Sequence, residues 1–351
     1  MAETSNPSPA RRRRATMSDV AERAGVSRTS VSLILNNHET RIAPETQRRV
    51  RQIAEELGFR PSRAALQLRT QQSQVISFIG DEIASGPFAG GLIAGAQAAA
   101  ALQSHALMVM NSGIPGDITA VDPTILEDRQ ADGNVYATVM TRRVVLPPSA
   151  SESPTVLLNC FSESDALAQI LPDDRNGERT ATRCALDHGH RRIGLIMGEL
   201  GTQPASDRLE GYAEALAEAD VEYDEHLVWH GDWNGNTGYD AAIHMLQLPH
   251  PPTAFICGND RIALGVYEAV RNLSLRIPDD ISVIGYDDQR EITQFMHPPL
   301  TTVRLPYEEM GRVAVNSLLA GDEIGTVYVA CDLIERASVS SPRGGGGPVT
   351  H

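Results

Sequence analysis

Residues 16–37 read TMSDVAERAGVSRTSVSLILNN, and their spacing predicts two short helices joined by a tight turn. Thr16 and Ser18 each offer a side-chain oxygen to the free N–H groups of a helix start, and Val20, Ala21 and Ala24 then fall on one face. Gly25 permits the sharp reversal, because a residue without Cβ enters the left-handed region at little cost. Ser27 caps the second helix, whose Val31, Ile34 and Leu35 point inward while Arg28, Thr29, Ser32 and Leu33 face out. A helix-turn-helix of this form puts the first residues of its second helix into the major groove of DNA. There an arginine bonds a guanine edge, and a threonine or leucine touches a thymine methyl. The plain alternative is an ordinary helical hairpin.

Working outward, APETQRRVRQIAEELGF (residues 43–59) predicts a third helix, with Pro44 in its first turn, an apolar stripe of Val50, Ile53, Ala54 and Leu57, and Gly58 at its end. Charge follows this organisation. Residues 1–73 hold thirteen Arg against seven acidic residues, a net of +6, whereas residues 74–351 hold seventeen Arg against thirty-eight acidic residues, a net of −21. Only the front end attracts phosphate, a fact that the whole-chain value of −15 conceals. All thirty basic side chains are Arg, a skew that fits a GC-rich genome as well as any recognition role. Residues 1–14, with the run Arg11 to Arg14, read as a disordered basic tail, and the closing stretch 341–351 as a second disordered tail.

Beyond Gln74 the rhythm changes to short apolar strands alternating with helices. VISFIG, ALMVMN, NVYATVM, PTVLLN, RIGLIM, HLVWHG, TAFICG and ISVIGY read as strands, and AGGLIAGAQAAAALQ, RNGERTATRCALDHG and RIALGVYEAVRNLS as helices between them. This alternation predicts an α/β core with parallel sheets. Ligands in such sheets bind beyond the carboxyl ends of the strands, where Asn159, the pair Asn259 and Asp260, and the pair Asp287 and Asp288 are placed. Amides and carboxylates there hydrogen-bond adjacent sugar hydroxyls, and equally they cap turns.

No apolar run is long enough to suggest a membrane span, and the arginine-rich start has no apolar signal core, so a cytoplasmic protein is expected. Cys160, Cys184, Cys257 and Cys331 are too far apart in sequence for a CxxC site and fit reduced thiols. Neither a metal nor a cofactor is expected. HGH at 188–190 sits at a helix-to-strand turn, and no GxSxG elbow, HExxH or Walker loop is present, so nothing argues for turnover.

The run from Thr16 to about Ser340 closely resembles the LacI/GalR family of bacterial repressors. The resemblance implies a three-helix headpiece over residues 15–60, a hinge helix or linker over 61–73, and a two-lobed core over 74–340 of the periplasmic-binding-protein type, built from Rossmann-like parallel sheets. It implies an N-lobe of about 74–171 and 290–325 and a C-lobe of about 172–289 and 326–340, with crossings near Ile170 to Pro172, Gln289 to Thr293 and Thr326. In the hinge, Leu68 holds the place of a leucine that wedges between base pairs, and Leu66 stands where the family usually has an arginine. Such a short helix is marginal alone and is expected to form only when two copies pack over DNA. Together the motif and the resemblance give a DNA-contacting set of Thr16, Ser27, Arg28, Thr29, Ser30, Ser32, Leu33, Asn36 and Leu68.

For the cleft, the resemblance assigns effector contacts to Asn159, Asn259 and Asp287, and to Arg208 in ASDRLEGY, whose guanidinium can grip two vicinal oxygens. Trp233 in HGDWNGNTGY matches a tryptophan that stacks on a sugar face in a family member, and Phe88 in SGPFAG would lie opposite. The expectation is a homodimeric repressor of carbohydrate genes, without a coiled-coil tetramerising tail. It binds double-stranded, near-palindromic operator DNA under the control of a mono- or disaccharide. A purine or nucleoside effector, a sugar-binding protein without regulatory role, and an enzyme acting on the sugar are the rival readings.

Overall fold

The computed structural model describes residues 15–35, 41–59, 72–80, 89–111, 113–114, 117–121, 131–146, 153–163, 167–321 and 325–343. Asn36, the hinge with Leu68, the loop with Phe88, and both tails except residues 341–343 lie outside the described residues. The chain divides into two units, residues 1–73 and 74–351.

In the first unit, helices α1 (Met17–Ala24), α2 (Arg28–Leu35) and α3 (Pro44–Glu56) close around Val20, Ala21, Ala24, Val31, Ile34, Val50 and Ala54. Thr16 is the N-cap of α1. Its Oγ1 accepts from the Asp19 N–H at 3.3 Å while the Asp19 carboxylate accepts from the Thr16 N–H at 2.7 Å, a reciprocal box that satisfies two free donors. Ser18 instead lies exposed within the first turn, since Thr16 occupies the N-cap place. Gly25 ends α1 at φ 66°, and the Ser30 N–H donates to Ser27 Oγ at 3.1 Å to start α2.

The second unit holds two six-stranded sheets. The first lobe orders its strands β13-β7-β6-β5-β1-β2: β1 (Val75–Gly80), β2 (Ala106–Asn111), β5 (Gly133–Arg143), β6 (Thr155–Phe161), β7 (Ala168–Pro172) and β13 (Thr326–Val329), all parallel. A separate antiparallel pair, β3 (Gly113–Ile114) and β4 (Asp117–Val121), has no counterpart in the sequence reading. The second lobe orders β14-β12-β11-β10-β8-β9: β8 (Ile193–Met197), β9 (Val228–His230), β10 (Ala254–Cys257), β11 (Ser282–Asp287), β12 (Thr301–Arg304) and β14 (Asp332–Ile334), the last antiparallel to β12. Strands covered by helices on both faces need no polar side, so β7, β8 and β10 are buried along their whole length.

Helix α4 (Ala89–Leu102) packs against α10 (Tyr307–Ala320) on the first sheet. The contact is backbone on backbone: a Cβ at Gly95 would stand 1.8 Å from the Glu308 carbonyl, which explains the small residues of AGGLIAGAQAAAAL. On the second sheet lie α5 (Asp174–Asp187), α6 (Gln203–Glu218), α7 (Gly235–Leu246), α8 (Asp260–Asn272) and the single turn α9 (Arg290–Thr293). Among the described residues no helix is long and apolar enough to cross a membrane.

Two of the expected lobe boundaries are corrected. The chain leaves the second lobe after Arg304, not near Gln289 to Thr293, because TTVR forms β12 and pairs with β11 in register Ile284↔Thr301. Thr326 to Val329 pairs with β7, so it belongs to the first lobe, and the last crossing follows Val329. The first crossing follows Pro172. Buried His190 stitches the second lobe together. One ring nitrogen lies 2.8 Å from Thr253 Oγ1 and the other 2.8 Å from the Ser340 carbonyl oxygen, and burial lowers its pKa. Ser338 adds to this seam, accepting from the Thr301 N–H at 2.8 Å and donating to the Val283 carbonyl at 2.6 Å.

Candidate functional site

Two surfaces carry the candidate chemistry, one in each unit. On α2, Arg28 and Thr29 are exposed at the helix start, and Ser32 and Leu33 are half-buried on the same side. Ser27 and Ser30 bond one another, their hydroxyls 2.9 Å apart, so both help to define the helix N-terminus. A helix start of this kind favours a phosphate oxygen, leaving Arg28 and Thr29 as the extended groups that reach farther.

In the core a cleft of about 260 Å³ opens at the carboxyl ends of the strands. The first lobe lines it with Val139, Met140, Thr141 and Asn159, and α10 adds Tyr307. The second lobe contributes Asp174, Pro204, Arg208, Trp233, Asn259, Arg261 and Asp287. Five of the six cleft residues read from the sequence therefore meet here, and Phe88 lies outside the described residues.

Asn159 is buried at the end of β6 with φ 57°, a left-handed conformation that asparagine tolerates better than most residues. Its amide nitrogen donates to the carbonyls of Thr138 (2.9 Å) and Val139 (3.2 Å), and its oxygen accepts from Thr141 Oγ1 at 2.7 Å. These bonds hold the irregularity between Ala137 and Arg142, where the β5–β6 register shifts. That bulge is what presents Val139, Met140 and Thr141 to the cleft. Asn159 thus shapes the wall mainly through its neighbours.

Arg208 is almost fully buried on α6. Its Nε and Nη2 donate to Asp174 Oδ1 at 2.9 and 2.8 Å, and Nη1 donates to the Gly258 carbonyl at 2.5 Å. The guanidinium carbon stands 3.6 Å from the centre of the Tyr286 ring and 5.8 Å from that of Trp233. A cation held by a carboxylate, a carbonyl and two π faces keeps its charge and one orientation. The indole of Trp233 presses on the backbone of Gly198, where a Cβ would fall 2.1 Å from the ring, and its buried Nε1 has no hydrogen-bond partner among the described residues.

Asn259 caps α8, its Oδ1 accepting from the Ile262 N–H at 2.8 Å, while its amide donates to the Trp233 carbonyl at 3.0 Å. It fixes the indole as much as it faces the cleft. Asp287 ends β11 at φ 102°, accepts from Gln289 Nε2 at 3.1 Å, and is pushed up to about 6 by burial, against the pull of Arg208. Buried Asp260 supports this corner, accepting from Thr302 Oγ1 and the Gln289 N–H at 2.7 Å each. Asp288 points away into Arg304 (2.8 Å) and Arg336 (2.5 Å), and these bonds hold its carboxyl below the usual range despite desolvation.

The sequence reading did not single out Asp174, Arg261, Met140 or Tyr307. Asp174 had a signal, a carboxylate in the first turn of a helix that starts where a buried strand ends. Tyr307 and Met140 had none, since only the crossing after Arg304 and the bulge in β5 bring them to the cleft.

This combination of a helix-turn-helix unit and a two-lobed ligand-binding core defines a DNA-binding regulator. Residues 16–62 match the family described as bacterial regulatory proteins, lacI family, and residues 183–339 match the periplasmic binding protein-like domain. The chain is 32% identical over 308 residues to the ribose operon repressor of Haemophilus influenzae, covering 87% of this chain and 91% of that one. It is 32% identical over 309 residues to the HTH-type transcriptional repressor PurR of Vibrio atlanticus, with the same coverage of 87% and 91%. Among solved structures, the lac repressor dimer bound to operator and the anti-inducer ONPF aligns with a TM-score of 0.75 at 25% identity, over 93% of this chain and 100% of that one. The chain belongs to the LacI family of bacterial transcriptional regulators. It is a regulator, not an enzyme.

Proposed function

We propose that this protein is a homodimeric repressor of carbohydrate uptake or utilisation genes that binds a near-palindromic operator and is released or tightened by a small sugar in the cleft. The observation that carries the reading is the grouping of an aromatic plate, Trp233, with Arg208, Asp287 and Asn259 in one 260 Å³ cleft. Flat apolar surface beside convergent hydrogen-bonding groups suits a pyranose or furanose, with one C–H face and a rim of hydroxyls. At about 260 Å³ the cleft falls just below the usual range of ligand pockets, roughly 300–1,000 Å³, which favours a monosaccharide over a disaccharide. The orphan Nε1 of Trp233 gives such a ligand a donor to satisfy.

Arg28 and Thr29 read bases in this proposal, while Thr16, Ser27, Ser30 and Ser32 set the helix on the backbone and Leu33 meets a thymine methyl. A second copy of the chain matches a palindrome through its own two-fold axis, as in the solved lac repressor dimer on its operator. Exposed Met108 and Val109 on the edge strand β2, and exposed Leu264 and Phe295 in the second lobe, supply apolar surface for it.

The rival effector is a purine, since a purine-type repressor is as similar to this chain as a ribose one. Calorimetric titration of the full chain with D-ribose, other monosaccharides, hypoxanthine, guanine and cytidine separates them. Saturable binding of a monosaccharide that also changes operator affinity is the expected result. Binding confined to a nucleobase or nucleoside overturns the sugar reading and leaves the regulator standing.

A further inference from the structure

Glu178 lies one helical turn beyond Asp174 on α5, on the same face of the helix. It is fully buried, and neither carboxyl oxygen has a hydrogen-bond partner among the described residues. The ionisable groups that face it come from each element packed around it: Asp174 on its own helix, Arg208 and Tyr212 from α6, Cys257 at the end of β10, and Tyr286 from β11. Arg208 is the only cation of this set, and it is already bonded to Asp174 and to the Gly258 carbonyl. Desolvation pushes Glu178 up to about 8, so at neutral pH it holds its proton.

We propose that Glu178 is a positioning residue of the cleft: protonated, it leaves the Arg208 guanidinium on Asp174 and available to a ligand, and ionised, it draws Arg208 away from both. A second carboxylate in this interior competes with Asp174 for one guanidinium, and Arg208 already pulls on Glu178 through this low-dielectric interior. The neutral acid exerts no such pull. This inference rests on the cleft being the effector site, and it makes effector binding proton-linked. A ligand that uses Arg208 binds with constant affinity well below the ionisation of Glu178, and loses about tenfold per pH unit above it.

The test needs no ligand. The chain has two tryptophans, so Trp229→Phe leaves Trp233 as the single indole, with the Arg208 guanidinium carbon 5.8 Å from its ring centre. In the full-length Trp229→Phe protein, the emission of Trp233 is expected to change with a one-proton profile between about pH 7 and about pH 9. Adding Glu178→Gln, whose amide stands for the protonated acid, should flatten that profile. Asp287, pushed to about 6, titrates below this window, and burial moves Cys257 and Tyr286 well above their ordinary values, away from it. Infrared spectra provide a second reading: in the parent, a protonated carboxyl band present near neutral pH and lost by about pH 9, and weakened in Glu178→Gln, which tells it from buried Asp260, whose carboxyl burial also raises. An identical emission profile with and without Glu178→Gln, or no protonated carboxyl band near neutral pH, overturns the proposal. Failure of the sugar reading would appear only in the ligand titrations and would leave both ligand-free signals intact.

Discussion

The two walls of the cleft spend their polar groups differently. On the first-lobe wall, Asn159, Thr138 and Thr141 turn their hydrogen bonds onto their own lobe, holding the β5 bulge in place. On the second-lobe wall, Arg208 keeps guanidinium donors beyond those bonded to Asp174 and Gly258, Asp287 is pushed up to about 6, and Trp233 has a donor without a partner among the described residues. Under the proposed function, the first wall would supply shape and the second recognition. On that reading, closing one wall on the other would convert ligand contacts into a change of lobe arrangement, to the extent that the ligand prefers the closed form.

The largest effect that would break this contrast is Arg208→Ala. It removes the side-chain partner of the buried Asp174 carboxylate and strips the cation from the face of Tyr286, so unfolding stability should fall by about 3–5 kcal/mol and effector binding should disappear. Chemical denaturation and calorimetry read the two losses. An Arg208→Ala protein that keeps both would make the second wall as passive as the first.

Next is the pH dependence of stability conferred by Glu178. Its folded value of about 8 lies above the ordinary 4.5, so its contribution is fully present below about pH 4.5 and is lost as pH rises through about 8. Denaturation of the parent and of Glu178→Gln at about pH 5 and about pH 9 should therefore show a gap that moves in favour of the variant by a few kcal/mol. A gap that does not move would place the ionisation elsewhere.

Trp233→Ala sharpens the contrast. It should weaken effector affinity by about tenfold to a hundredfold, the scale of losing aromatic contact and one hydrogen bond. Ligand-free operator binding should survive, since the three-helix unit has its own core. The mirror image is Arg28→Ala, expected to cost about 1–3 kcal/mol at the specific operator, much less on random DNA, and nothing in effector titrations. The smallest effect is Asn159→Ala. Loosening the bulge should weaken effector binding by about tenfold or less, with hydrogen exchange rising at Val139 to Thr141.

Much of the architecture was legible because its signals are local. The headpiece follows from caps, a turn glycine and helical spacing within a few dozen residues, and β1 and β2 coincide with the apolar runs VISFIG and ALMVMN. The cleft residues at strand ends were legible for the same reason, since a polar residue that closes a buried strand stands out. What the sequence hid depends on pairing across distance. TTVR carries little apolar character, and only its register against β11 makes it a strand of the second lobe. The difference between Asn159, bonded to the β5 bulge, and Arg208, bonded to Asp174 and the Gly258 carbonyl, was likewise invisible, because both are polar groups at predicted cleft positions and only their bonding partners separate them.

The last strands of the chain carry a consequence for synthesis. β13 is the outer strand of one sheet and β14 the outer strand of the other, and Ser338 and Ser340 close the seam at His190. Neither lobe is complete until Thr326 to Ile334 has left the ribosome, whereas the headpiece, which precedes both lobes, has a core of its own. A message broken ahead of Thr326 would thus yield a polypeptide that retains the helix-turn-helix unit and lacks an outer strand from each lobe of the core.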